Sequence, residues 1–144
     1  MRWVVAQFAV IAVVVGLFLV GPRPQALAYR AAGAVLALVG LIVFAWALRE
    51  LGRSLTPLPR PRDDGELVTS GPFRVVRHPV YLGATLVFVG LSLVFSWSSL
   101  IASCALALIW AAKARVEERY LVERFPEYAE YRRRVRRRLV PFVY

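Results

Sequence analysis

Apolar residues in this chain come in long, nearly unbroken runs and not with the period of an ordinary amphipathic element. Four segments stand out: Trp3–Val20, Tyr29–Leu48, Tyr81–Trp97 and Ser98–Ala112. A helix crossing a bilayer needs about 17–25 mostly apolar residues, and the first two runs meet that alone. The last two form one stretch, interrupted by Ser96-Trp97-Ser98-Ser99. It is too long for one crossing and adequate for two short or tilted ones, which predicts a tight helical hairpin. The pattern therefore predicts an all-α, polytopic integral membrane protein of about four transmembrane helices, with a short cytoplasmic C-terminal helix.

Breakers set the boundaries. Gly21-Pro22-Arg23-Pro24 ends the first helix. The second is expected from about Tyr29 to Leu51, with Gly33 and Gly40 suited to close packing in lipid. Three prolines in Thr56–Pro61 forbid helix there, and Asp63-Asp64-Gly65 is a turn signal. Pro79 suits the first turn of a helix, which places His78 at its N-cap. Open N–H groups and the positive dipole end would make that terminus an anion site. The fourth helix should run on through Lys113 to Leu121. A short helix is expected at Glu127–Arg137, followed by an extended apolar tail, Leu139–Tyr144. The whole, 1–144, reads as a single domain: an N-terminal helix pair (1–51), a cytoplasmic loop (52–80), and a cofactor-binding hairpin with its C-terminal segment (81–144).

Composition and charge add orientation. The chain is 59% hydrophobic, against roughly 45–50% in soluble domains. Its net charge of +10 is unevenly placed: Arg49, Arg53, Arg60, Arg62, Arg74 and Arg77 lie in one loop, and ten basic residues follow from Lys113 onward. Lys and Arg favour cytoplasmic loops, so both termini and the 52–80 loop are expected in the cytoplasm. The Ala/Arg/Val bias points to a bacterial inner membrane. Ala26-Leu27-Ala28 has the outline of a signal-peptidase site, but the preceding apolar run exceeds the usual h-region. The single Cys104 excludes an internal disulfide and is expected in helix packing. Small-residue helix faces permit a homo-oligomer.

The chemistry concentrates in two places. His78, the only histidine, stands between Arg74, Arg77 and Tyr81, where the basic loop enters an apolar helix. By itself it reads as an interfacial loop histidine. Glu117-Glu118 should reach the same depth on the other arm of the hairpin; by itself it reads as a solvated pair, with Lys113 as an i,i+4 partner of Glu117. The run Arg132–Arg138 favours anionic lipid headgroups over nucleic acid in a protein of this kind. One His and one Cys make no metal site of the usual spacing, and there is no dinucleotide or P-loop fingerprint.

Four motifs in order carry a resemblance: Leu67–Arg74, Arg77-His78-Pro79-Val80-Tyr81-Leu82-Gly83, Glu117-Glu118-Arg119-Tyr120-Leu121, and Phe125 with Tyr128 and Tyr131 ahead of Arg138-Leu139-Val140-Pro141. From about Leu67 onward the chain resembles the isoprenylcysteine carboxyl methyltransferase family and its prokaryotic, phospholipid methyltransferase-like relatives. The first two helices show no distinctive match. Pro126 stands where the family usually has Gly.

The resemblance implies methyl transfer from S-adenosylmethionine to a lipophilic, membrane-borne acceptor at the cytoplasmic face. It implies that His78, Pro79, Tyr81, Leu82, Gly83, Glu118, Tyr128 and Tyr131 bind the cofactor. Glu117 and Glu118 would lie at the reacting centre. Arg74 or Arg77 is suited to holding a carboxylate acceptor; an amine acceptor needs a base, for which Glu117, Glu118 or His78 is available. Two other readings stand beside this one. A membrane reductase of the sterol-reductase type, using NADPH, has a related Arg-His motif and a similar Pro-Phe-Val-Tyr ending. A non-catalytic scaffold or lipid-binding protein needs none of the chemistry.

Overall fold

The computed structural model describes residues 2–24 and 26–139. All its regular structure is helical. Helix α1 spans Arg2–Val20, α2 Leu27–Leu51, α3 Pro79–Phe95, α4 Trp97–Arg124 and α5 Tyr128–Arg134, with 3-10 turns at Gly52–Ser54 and Gly71–Arg74. Among the described residues, three helical segments are long and apolar enough to cross a membrane: Arg2–Val20, Leu27–Ser54 and Trp97–Arg124. Helix α3 is apolar but has only 17 residues. The expected tail at Val140–Tyr144 lies outside the described residues.

Helix α2 packs chiefly on α3, α3 on α4, and α4 on α1. The α2–α3 seam is made of backbone. A Cβ on Gly33 would stand 2.6 Å from the Gly90 carbonyl oxygen, and one on Gly40 2.8 Å from that of Gly83. Antiparallel helices with glycines seven residues apart thus meet twice without an intervening side chain. Burial of apolar surface does not drive association inside lipid, so close van der Waals contact of this kind does. Gly83, expected beside the cofactor, is consumed here: its Cβ would fall 2.5 Å from the Phe44 amide nitrogen.

The hairpin breaks at one residue, Ser96, where four were expected. Ser92 and Ser103 hydroxyls meet across it at 2.9 Å. The α1–α2 connection sits on the same end, where the Trp97 N–H donates to the Pro22 carbonyl at 3.2 Å. Cys104 is exposed on the outside of α4 and does not pack between helices. Helix α5 ends at Arg134, three residues short of the expected Arg137, and the chain continues as an extended strap.

Replacing Gly40 by Val should cost about 1–3 kcal/mol or more, because the new methyls meet backbone that cannot move aside. Gly16→Val, where a Cβ meets nothing within 4 Å, should be nearly neutral. Heat unfolding in detergent distinguishes the two; equal midpoints would mean the seam is not closely packed.

Candidate functional site

His78 does stand at the N-cap of α3, with Pro79 in the first turn. The strap after α5 returns to this terminus and takes up the amides that precede its first turn. The N–H groups of Arg77 and His78 donate to the carbonyls of Arg137 and Arg138, each at 2.9 Å. The Arg77 guanidinium adds two bonds from Nη1, to the carbonyls of Val135 at 2.8 Å and Arg136 at 2.7 Å. Below the strap, Tyr128, Tyr131 and Val135 form a small core with Leu67, Leu121 and Phe125 around them. The Tyr131 hydroxyl donates to the Phe73 carbonyl at 2.7 Å. Burial raises the pKa of both tyrosines well above the ordinary value, and for Tyr128 the Glu118 charge adds to it. Both therefore remain protonated donors at neutral pH.

One carboxylate ties these pieces together. Glu118 Oε1 accepts from Arg77 Nε at 2.8 Å and from Arg138 Nε at 3.1 Å, and Oε2 accepts from Arg138 Nη2 at 3.0 Å. His78 Nε2 lies 3.3 Å from the same Oε1. Glu118 is 4% exposed, so it is a buried charge compensated on several sides.

Glu117, one residue earlier, faces elsewhere. Its Oε1 accepts from the Tyr81 hydroxyl at 2.5 Å and lies 3.7 Å from Lys113 Nζ, while Oε2 lies 3.6 Å from His78 Nδ1. Adjacent residues on a helix point about 100° apart. So one glutamate fastens the strap and the other lines a cavity of about 440 Å³, within the range of small-ligand sites. The cavity runs from Glu117, Lys113 and Tyr81 past Trp110 and Phe88, under the Pro57–Pro61 stretch of the loop. His78, Tyr81 and Trp110 stack in a column, with ring centroids 5.7 and 6.0 Å apart and planes within 13° and 10°.

Lys113 is the residue whose place the sequence misread. The i,i+4 pair with Glu117 exists, but it is not solvated: Lys113 is 2% exposed. Its Nζ donates to the Pro57 carbonyl at 2.7 Å and to Gln7 Oε1 at 3.3 Å, and stands 5.4 Å from the Tyr81 ring centre. It therefore joins α1, the loop and α4 beside Glu117. Gln7, the one polar interruption of an apolar first helix, was the available signal.

The remaining expected site residues divide. Arg77, His78, Tyr81, Glu117, Tyr128 and Tyr131 all border the cavity. Glu118 stands behind it and holds Arg77 and Arg138. Pro79, Leu82 and Gly83 are not among the lining residues. Arg74 is exposed, and its charge acts on Glu50, which accepts a 2.5 Å bond from the Ser70 hydroxyl. Arg77 borders the cavity with its head already engaged, so neither arginine is poised to hold an acceptor. The Tyr128 hydroxyl is a buried polar atom with no hydrogen-bond partner among the described residues. Among those residues no cluster of His, Cys, Asp or Glu is placed to hold a metal ion.

A membrane-helix bundle with a carboxylate-lined cavity at its polar end defines a class, and comparison of the chain with known families identifies it. The model described as phospholipid methyltransferase matches residues 28–128. The chain belongs to that family, an integral membrane methyltransferase family. The match begins in α2, so the second helix, which carried no recognisable motif, is part of the family's pattern after all.

Two curated relatives are similar over a shorter stretch. The cobalt-zinc-cadmium resistance protein CzcN of Cupriavidus metallidurans is 43% identical over 75 residues, 51% of this chain and 35% of that protein. The nickel-cobalt-cadmium resistance protein NccN of Alcaligenes xylosoxydans xylosoxydans is 40% identical over 75 residues, with the same coverage. The chain spans about a third of the length of these curated relatives.

Lys113→Met keeps the bulk of the side chain and removes the ammonium that holds Pro57. A charge-assisted bond of this kind contributes about 1.5–3 kcal/mol, so opening of the loop should become roughly tenfold or more frequent. Trypsin cleavage after Arg53 or Arg62 should accelerate accordingly; an unchanged rate would show that Lys113 does not anchor the loop.

Proposed function

We propose that the protein transfers a methyl group from S-adenosylmethionine to a lipophilic, membrane-borne acceptor at the polar end of the bundle. The observation that carries this is the cavity itself, with a carboxylate and an ammonium side by side at its polar end and aromatic walls running into the apolar helices. The donor set fits the cofactor. Glu117 and Lys113 offer opposite charges to an amino-acid moiety. The rings of Tyr81 and Trp110 suit an adenine or a sulfonium cation. The Tyr128 hydroxyl is a buried group in want of a partner. When bound, S-adenosylmethionine supplies an electrophilic methyl group on a sulfonium.

The chain's own contribution is orientation and exclusion of water. The loop and helix α5, through Tyr128 and Tyr131, cover the cavity from the polar side, and the apolar helices admit a lipophilic tail from the other. For an amine acceptor, Glu117 Oε2 is the atom placed to take the proton, since Oε1 is engaged by the Tyr81 hydroxyl and Oε2 has His78 Nδ1 beside it at 3.6 Å. For a carboxylate acceptor no base is needed. Glu118 acts through Arg77 and Arg138 as a positioning residue. In this reading 1–144 acts as one membrane-embedded domain of four spans, α3 crossing as a short, closely packed helix. Both termini and the 52–80 loop face the cytoplasm of a bacterial inner membrane, as the clustered arginines favour.

Calorimetry on the detergent-purified protein should show binding of S-adenosylmethionine or S-adenosylhomocysteine and none of NADPH. With labelled S-adenosylmethionine, radioactivity should pass into a lipid-extractable product. Binding of NADPH alone would replace this reading with the reductase one, and binding of neither would favour a scaffold.

A further inference from the structure

A second concavity of about 420 Å³ is walled by Arg77 before α3, Arg132 and Arg133 of α5, and Arg136 and Arg138 of the strap. Arg77 is the one residue shared with the first cavity. All five walling residues are arginines, and two of them, Arg77 and Arg138, share the Glu118 carboxylate. Arg132, Arg133 and Arg136 are exposed, and among the described residues no acidic side chain pairs with them. Helix α5 contributes Arg132 and Arg133 from its last turn, and the strap turns Arg136 and Arg138 toward the same space.

Like charges gathered around one hollow repel, and a bound anion relieves that repulsion. Planar guanidinium forks suit a tetrahedral oxyanion, which they bind in bidentate fashion. The volume exceeds that of a lone phosphate ion and leaves room for a substituent. The strap also lies at the polar end of the membrane helices, the depth of lipid headgroups.

We propose that this concavity is a phosphate-binding site, taking a phosphomonoester or phosphodiester group and thereby holding the strap in its docked position. The site is separate from the methyl-transfer cavity and its occupation involves no chemistry. The phosphate comes either from an anionic lipid headgroup or from a soluble phosphate, and one experiment separates the two.

Purified protein is placed in phosphatidylcholine nanodiscs at physiological ionic strength, where diffuse surface attraction is damped. One series is titrated with inorganic phosphate; a second carries a rising fraction of phosphatidylglycerol. The unfolding midpoint is read in each, without S-adenosylmethionine, so the result is independent of any methyl transfer. The midpoint should rise in at least one series. R133Q/R136Q should need about a hundredfold more of the same anion for the same rise, each lost charge-assisted bond accounting for about tenfold. R53Q/R60Q, which removes equal charge at two exposed residues that do not wall the site, should behave as wild type. A rise with phosphatidylglycerol alone identifies a lipid headgroup, and a rise with inorganic phosphate identifies a soluble source. No rise in either series, or an equal loss in both double variants, would overturn the site.

Discussion

A single buried carboxylate holds the working end of this protein together. Glu118 sits among Arg77, His78 and Arg138, which come from the loop before α3, the N-cap of α3 and the C-terminal strap. Placing an ion there is costly unless it is compensated, and here the Arg77 and Arg138 guanidiniums both donate to it. The benefit is geometric. The same contacts that satisfy Glu118 fix where α3 begins and where the strap lies, and so fix the cavity's polar rim.

Rigidity on the apolar side comes from a different source. The α2–α3 seam leaves no side chain between backbones at Gly33–Gly90 and Gly40–Gly83. Helix α3 therefore cannot rotate or slide without backbone collision, and Tyr81 is carried on it. Tyr81 in turn supports Glu117 through its hydroxyl and stacks between His78 and Trp110. The second support is Lys113, which fastens the covering loop and α1 to the same spot. Glu117 thus faces the cavity with its position set from both Tyr81 and Lys113.

Much of this was legible in the sequence, and the failures have physical reasons. Long apolar runs announce helices whatever their partners, so four helices and the hairpin could be read directly. Pro79 marked the start of α3 and so placed His78 at its cap. The depth of Glu117-Glu118 followed from helix rise alone. The register between helices did not, since no local pattern states which glycine faces which; Gly83 could be read as admitting either a close ligand or a close helix, and it meets Phe44 of α2. The strap's hold on α3 was invisible because it uses backbone carbonyls, which leave no mark on residue type. Lys113 and Glu117 at i,i+4 look the same in sequence whether solvated or buried, and only the packing of α1 and the loop around them decides. Arg74 and Arg77 looked equivalent as cations, yet one is exposed beside Glu50 and the other is spent on Glu118.

The central claim is a division of labour between adjacent glutamates: Glu118 fastens the strap and Glu117 serves the cavity. The most direct measurement pairs S-adenosylhomocysteine calorimetry with trypsin cleavage of the strap between Arg132 and Arg138, in Glu117→Gln and Glu118→Gln. Glu117→Gln should weaken ligand binding about tenfold while the strap stays as protected as in wild type. Glu118→Gln should lose both, since breaking a buried ion pair costs about 3–5 kcal/mol. Equal strap cleavage in the two variants, or a Glu118→Gln protein with a protected strap, would contradict the account.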